Sequence, residues 1–254
     1  MLQRSGNRVD RPSRNRIAGT VDGVRDAILL AGGLGTRLSR VSGGRPKPLI
    51  EIAGRPFVEY VLDLVAEAGC TRVVMAVAYR WGMLRDRLGD TYRGLRLTWS
   101  VEDEPLGTGG AVRLAFETLG LERAVVLNAD TLFRIDLGEL ERRHIAAHTQ
   151  VTLALHTVED VSRFGAVELD ADQRIVAFHE KGKQGLGLIN GGIYVIERSI
   201  FDLCSFPSSF SLERDLLQAE LVRLRPLGVP SKGYFIDIGT PEDLERARRE
   251  LGRG

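Results

Sequence analysis

Cysteine is scarce in this chain: Cys70 and Cys204 stand alone among 254 residues, with no C-x-x-C spacing. The pattern argues against a disulfide framework and for a reduced, cytosolic setting. Long apolar runs are missing as well. None approaches the ~20 residues that span a bilayer, so the chain is expected to have no membrane partner. An excess of one charge is also absent, with 35 basic residues against 34 acidic ones and a formal net charge of +1. That balance gives no electrostatic reason to bind nucleic acid or an anionic membrane. No G-x-S-x-G elbow and no cysteine nucleophile context appear, so covalent catalysis is not indicated. Of the four histidines, His144 and His148 are spaced i, i+4, but no glutamate stands between them as in H-E-x-x-H. They read as a polar helix end.

What is present is a chain that is 43% hydrophobic and 27% charged, enough for one sizeable core. Residues 1–22 hold five arginines and few large apolar groups, and read as a disordered leader before a single domain at 23–254. From Asp26 the chain alternates. Strands are expected at Asp26–Ala31, Arg72–Val77, Leu95–Ser100, Ala124–Asn128 and Val151–Thr157. Helices are expected at Pro56–Gly69, Trp81–Leu88, Gly109–Leu119 and Leu137–His148. Such alternation predicts an α/β fold, a Rossmann-like and mostly parallel sheet flanked by helices. After Val158 the texture changes to FGAVELD, RIVAFHE and GGIYVIE, which predict mixed or antiparallel strands added to the same sheet. A helix at Pro241–Leu251 follows.

The stretch AILLAGGLGTRLSRVSGGRPKPL, Ala27 to Leu49, carries the first chemical signal. An apolar strand empties into a loop with Gly32, Gly33 and Gly35, followed by Arg37, Arg45 and Lys47. A dinucleotide fingerprint would need a third glycine at position 38, which is Leu38. A Walker loop would need G-K-[ST], and the lysine here lies in Pro46-Lys47-Pro48. Both fail. What remains is a glycine-rich loop at the carboxyl end of a first strand, where open α/β sheets hold their ligands. Glycine lets backbone N–H groups wrap a polyphosphate, and Arg37 and Lys47 supply charge for its oxygens.

This stretch resembles the signature of sugar-1-phosphate nucleotidylyltransferases. The likeness continues through EPLGTGGAVRLA (Glu104–Ala115), VLNADTLF (Val126–Phe133), FHEK (Phe178–Lys181), INGGIYVI (Ile189–Ile196) and YFIDIGTPEDLERA (Tyr234–Ala247), in order over about residues 25–250. VEDEPLGTGGA, INGGIYV and GYFIDIGTPED are similar above all to the D-glycero-D-manno-heptose 1-phosphate guanylyltransferase branch. Branches using mannose, glucose or N-acetylmuramate 1-phosphate remain open alternatives. The resemblance implies a nucleotidyltransferase (GT-A-like) fold whose substrates are a nucleoside triphosphate and a sugar 1-phosphate, with room for a homo-oligomer.

It also implies roles. Leu30, Ala31, Gly32, Gly33, Gly35, Thr36 and Arg37 would wrap the nucleotide, with Gly107 and Thr108 on the facing loop. Arg37 would hold the leaving β- and γ-phosphates, and Lys47 the α-phosphate and the attacking sugar phosphate. Asp130 and Asp237, each just past a strand, would hold Mg²⁺ or Mn²⁺. On the sugar side, Glu180 would take sugar hydroxyls and Lys181 would help bind the sugar phosphate. Asn190 would present its amide to hydroxyls, the backbone at Gly165 would lie against the sugar, and Asn128 would join the sugar-phosphate site. The family usually reads Gly-Asp where this chain has Ala129-Asp130, a departure tolerable unless backbone must approach ligand closely there.

Glu102 bears on the base. A carboxylate only accepts hydrogen bonds, and guanine's Watson–Crick edge offers two adjacent donors. Glutamate where relatives carry glutamine therefore favours GTP, although Glu102, Asp103 and Glu104 also fit a solvated run. Two rival classes are weaker. A glycosyltransferase would use an acidic D-x-D, and Asp170-Ala171-Asp172 sits in an expected turn. A non-catalytic regulatory subunit would have lost Arg37, Lys47, Asp130 or Asp237, and all four are present.

Overall fold

The computed structural model describes residues 26–33, 44–78, 80–182, 184–203 and 205–252. The leader 1–22 and the site candidates Gly35, Thr36 and Arg37 lie outside the described residues. Strand β1 is Asp26–Leu30, and a single 3₁₀ turn at Lys47–Leu49 precedes a small hairpin, β2 (Glu51–Ile52) and β3 (Arg55–Pro56). Then come α1 (Phe57–Glu67), β4 (Arg72–Val77), α2 (Trp81–Leu88), β5 (Thr91–Tyr92) and β6 (Leu95–Val101). Next are α3 (Gly107–Leu119), β7 (Arg123–Asn128), β8 (Thr131–Phe133), α4 (Leu137–Ala146) and β9 (Val151–Val158). The added strands are β10 (Ala166–Leu169), β11 (Ile175–His179) and β12 (Gly187–Glu197). Short helix α5 (Ile200–Leu203) leads to a π-helical segment, Leu212–Gln218, and α6 (Leu221–Leu224). The described chain closes with β13 (Leu227–Ser231), β14 (Phe235–Asp237) and α7 (Pro241–Leu251).

Among the described residues, one ten-stranded sheet runs β11-β10-β12-β7-β1-β4-β6-β5, with β9 on β12 and β13 on β9. Its centre is parallel: β1 pairs with β4 and β7, and β4 with β6. Strands β10, β11 and β12 enter antiparallel, as their alternation implies, with β12 against both β7 and β9, whereas β13 joins β9 in parallel. The two sheet faces build separate cores because side chains alternate along each strand. Ala27 and Leu29 of β1 face α1, α2 and α7, whereas Ile28 faces α3 and the π-helical segment.

Several element ends are set by local chemistry. Pro56 caps α1 rather than opening its first turn as expected, consistent with its fixed φ of −54°. Helix α4 starts where the Asp136 carboxylate accepts from Glu139 N at 2.8 Å, and α7 where Thr240 Oγ1 accepts from Asp243 N with Pro241 in the first turn. The turn at Asp170–Asp172 is an ordinary one, its Asp170 carboxylate accepting from the amides of Asp172 and Arg174. His144 is buried against Thr152 and Glu197, while His148 is exposed, so the two do not form a metal pair.

Two short strands matter most for the site. β8 and β14 form a two-stranded antiparallel sheet in which Asp237 is opposite Thr131. Ile238 N also donates to Asp130 O at 3.1 Å. Backbone pairing therefore brings Asp130 and Asp237 together across more than a hundred residues of sequence.

Candidate functional site

Strands β1, β4, β6 and β7 all point their carboxyl ends at one rim, which carries Ala31 to Gly33, Glu102 and Asn128. Lys47 reaches the same rim from its 3₁₀ turn, where the prolines on either side restrict the backbone. Its Nζ lies 2.7 Å from Asp130 Oδ2 and 3.6 Å from Asp237 Oδ1, and the lysine side chain is only 13% exposed. Lys47 and the two aspartates singled out from sequence thus form one cation–carboxylate cluster.

The cluster is not electrically complete. Asp237 Oδ1 is buried and has no hydrogen-bond partner. Burial, then the neighbouring Asp130 charge, pushes the Asp237 carboxyl above its ordinary pKa, against the pull of Lys47. A buried orphan carboxylate oxygen beside a second carboxylate suits a hard divalent cation. No group of three or more metal-ligating side chains occurs among the described residues. Mg²⁺ needs no such cage, because it takes one or two carboxylates and completes its shell with water and substrate phosphate. The residues present fit the metal.

Ala129, where the family reads glycine, is fully buried, and its N–H donates to Leu30 O at 3.1 Å. Its methyl packs into the core, away from the rim.

Beside the cluster lies a cavity of about 240 Å³ whose lining includes Asn128, Gly165, Lys181, Asn190, Glu213 and Asp237. Of the six residues expected at the sugar phosphate, Lys47 included, four are therefore on its wall. Glu180 is not; it is exposed beside Lys181. Gly165 is required by backbone alone, since φ is +81° and a Cβ there would meet His179 O at 2.6 Å. The Asn190 amide is engaged at both ends. Its Oδ1 accepts from Gly192 N at 3.0 Å, and its Nδ2 donates to Tyr194 Oη at 2.8 Å and Glu213 Oε1 at 3.0 Å. Gly192 adopts φ +72° at the β12 bulge, where a Cβ would press on Asn128 Nδ2 at 2.9 Å.

Glu102 stands beside the glycine loop. A Cβ on Gly32 would lie 3.1 Å from its Oε1, while Oε2 accepts from Leu106 N at 2.8 Å. Burial raises its pKa, and the Leu106 amide opposes that rise. The facing loop is sewn to the segment before the π-helical turn. Phe210 N donates to Leu106 O and Gly109 N to Phe210 O, each at 2.9 Å, and Leu212 N donates to Thr108 Oγ1 at 2.9 Å. Thr108 thus carries a structural bond at the nucleotide side of the rim, and at Gly107, with φ +67°, a Cβ would meet Phe210 O at 2.6 Å.

A clamp ties the sugar side to the metal side. Arg163, next to Phe164 and Gly165, donates both guanidinium ends to the Asp243 carboxylate at the start of α7. Burial alone would raise the Asp243 carboxyl, but hydrogen bonds from Arg163 and Thr240 hold it below the ordinary carboxylate range. A carboxyl with a depressed folded-state pKa contributes stability above its unfolded pKa and loses it as pH falls through the folded one. Arg163→Met is therefore expected to cost on the order of 1–3 kcal/mol at pH 7. The difference from wild type should shrink below about pH 4, near the ordinary Asp pKa. Denaturant unfolding at pH 7 and pH 3 checks this, and an equal cost at both would place the clamp's energy elsewhere.

A model of the family described as nucleotidyl transferase matches residues 26–253. The chain belongs to the nucleotidyl transferase family. Within that family it is 40% identical over 226 residues to a D-glycero-alpha-D-manno-heptose 1-phosphate guanylyltransferase of Aneurinibacillus thermoaerophilus, covering 89% of this chain and 98% of that protein. A mannose-1-phosphate guanylyltransferase of Mycobacterium tuberculosis is 36% identical over 90% of this chain, but only 65% of that longer protein is covered. Among solved structures, HddC from Yersinia pseudotuberculosis complexed with GMP-PN superposes with a TM-score of 0.79 at 32% identity, covering 89% of this chain and 99% of that one.

Proposed function

We propose that this nucleotidyltransferase joins GTP to D-glycero-D-manno-heptose 1-phosphate, releasing pyrophosphate. The observation that carries the reading is the Lys47 ammonium set between Asp130 and Asp237, the latter lining the cavity that Asn128, Gly165 and Lys181 also line. The relatives' names support the choice of heptose and guanine, with both heptose enzymes matched over nearly their whole length. A phosphate oxygen of the sugar 1-phosphate attacks the α-phosphorus in line. The new P–O bond forms as the bond to the β-phosphate bridging oxygen breaks, and pyrophosphate leaves.

Two anions must meet, so the protein's work is positioning and charge neutralisation. Lys47 offsets charge on the α-phosphate and the incoming phosphate. Arg37 holds the leaving phosphates, and Lys181 the sugar phosphate. Asp130 and Asp237 would hold Mg²⁺ or Mn²⁺, which supplies Lewis-acid neutralisation of the phosphates when bound. Two cysteines without a motif, of which Cys70 is buried with its thiol pushed up to about 12, support a reduced cytosolic setting. Pyrophosphate release from a panel of the four triphosphates against sugar 1-phosphates tests the reading, and preference for another pair would overturn it.

Glu102 is read as the residue that favours guanine. Its Oε2 is anchored by Leu106, and its Oε1 lies beside Gly32 on the nucleotide side. A carboxylate meets guanine's two donors favourably, but meets carbonyl oxygens on either side of uracil's single donor. Glu102→Gln keeps size and removes charge, so it should weaken GTP use and narrow the gap to UTP by about 1–3 kcal/mol. The measurement is kcat/KM for GTP, ATP, UTP and CTP in both proteins. Unchanged ratios would assign Glu102 to holding the loop at Leu106 alone.

A further inference from the structure

Glu213 lines the same cavity, carried by the second residue of the π-helical segment. No motif pointed to it, and its position is unusual. Its Oε1 accepts from Asn190 Nδ2 at 3.0 Å and from Tyr194 Oη at 3.1 Å, while Asn190 Nδ2 also donates to Tyr194 Oη at 2.8 Å. The Tyr194 ring is fully buried, and burial, together with the Glu213 charge, raises its hydroxyl well above the ordinary range. The phenol therefore stays a donor. Asn190 cannot rotate freely, because its Oδ1 is held by Gly192 N. Three side chains thus form a closed set of bonds in which each polarises the next. Their product is one exposed carboxylate fixed in place on the cavity wall.

We propose that Glu213 is a sugar-binding, specificity-determining residue that accepts hydrogen bonds from hydroxyls of the sugar 1-phosphate, with Asn190 and Tyr194 positioning it. The inference rests on the proposed function. Chemistry selects hydroxyls over phosphate. An ionised carboxylate only accepts hydrogen bonds, so it repels phosphate oxygens and suits a polyol. Lys47 and Lys181 supply the phosphate's counter-charge on other parts of the site. The amide of Asn190, read from sequence as the hydroxyl contact, has its Nδ2 engaged by Tyr194 and Glu213. The acceptor reaches the cavity through Glu213.

The test uses the full chain and Glu213→Gln, which preserves shape and replaces one acceptor oxygen with a donor. With the sugar 1-phosphate that wild type uses best, KM for that substrate should rise on the order of 10-fold, the scale of a lost charge-assisted bond. KM for the triphosphate should stay within about twofold, a difference of under half a kcal/mol. A series of monodeoxy sugar 1-phosphates locates the contact, since the analogue lacking the contacted hydroxyl should be used equally by both proteins. Tyr194→Phe should shift KM for the sugar phosphate in the same direction by less. An unchanged KM in Glu213→Gln, or equal losses across every deoxy analogue, would overturn this inference while the proposed function stands. A wild-type chain that releases no pyrophosphate with any sugar 1-phosphate would overturn both.

Discussion

Lys47→Ala is expected to lower turnover about 100-fold or more, the scale of removing one preorganised group that stabilises developing charge. The geometry says why the loss should be in chemistry rather than in folding. Lys47 sits on a single 3₁₀ turn at the site rim, and its ammonium pairs with the two site carboxylates. Its removal leaves the core clusters on both sheet faces untouched. Lys47→Arg should not restore the rate, because a planar guanidinium on a longer stem cannot occupy the point between Asp130 and Asp237 that a compact ammonium fills. Single-turnover rates with unfolding midpoints measured alongside check this. Near-normal turnover in a folded Lys47→Ala would remove Lys47 from the reaction.

Chelation should abolish activity, and Mg²⁺ or Mn²⁺ should restore it, since both accept an oxygen-only site. Asp237→Asn should raise the metal concentration for half-maximal rate. Asp237 contributes the buried oxygen without a partner, and an amide in its place gives a neutral, weaker donor. Because the carboxyl's pKa is raised by burial and by Asp130, metal affinity in the wild type should also fall as pH drops and the carboxyl protonates. Mn²⁺ binding followed by electron paramagnetic resonance reads affinity apart from turnover. Wild-type affinity in Asp237→Asn would take Asp237 out of the coordination sphere.

The parts of this site that could be read from sequence are those carried by periodicity or by a motif. Arg72–Val77, Trp81–Leu88 and Pro241–Leu251 have the expected bounds, because apolar spacing, caps and proline mark them strongly. Lys47, Asp130 and Asp237 were legible as chemistry, and their meeting was not legible as geometry. The strands that join them, Thr131–Phe133 and Phe235–Asp237, are three residues each, too short to carry a repeating pattern. Strand β13 was hidden by Pro230, which reads as a loop residue. It is tolerated because β13 has only β9 as a strand partner and so lies at an edge. Glu213 was missed for a different reason. SLERDLLQ reads as ordinary amphipathic helix, and only tertiary contacts with Asn190 and Tyr194 turn that glutamate into part of the cavity.

The hydrogen bonds linking Leu106, Thr108 and Gly109 to Phe210 and Leu212, two between backbones and one through the Thr108 hydroxyl, have a consequence for engineering. They make the loop beneath Glu102 and the segment bearing Glu213 a single structural unit, although about a hundred residues separate them in the chain. Grafting the 102–110 loop of a relative with another base preference, without its own 206–218 segment, would strand the Phe210 amide and carbonyl opposite an unmatched backbone. A useful chimera should therefore exchange both pieces at once.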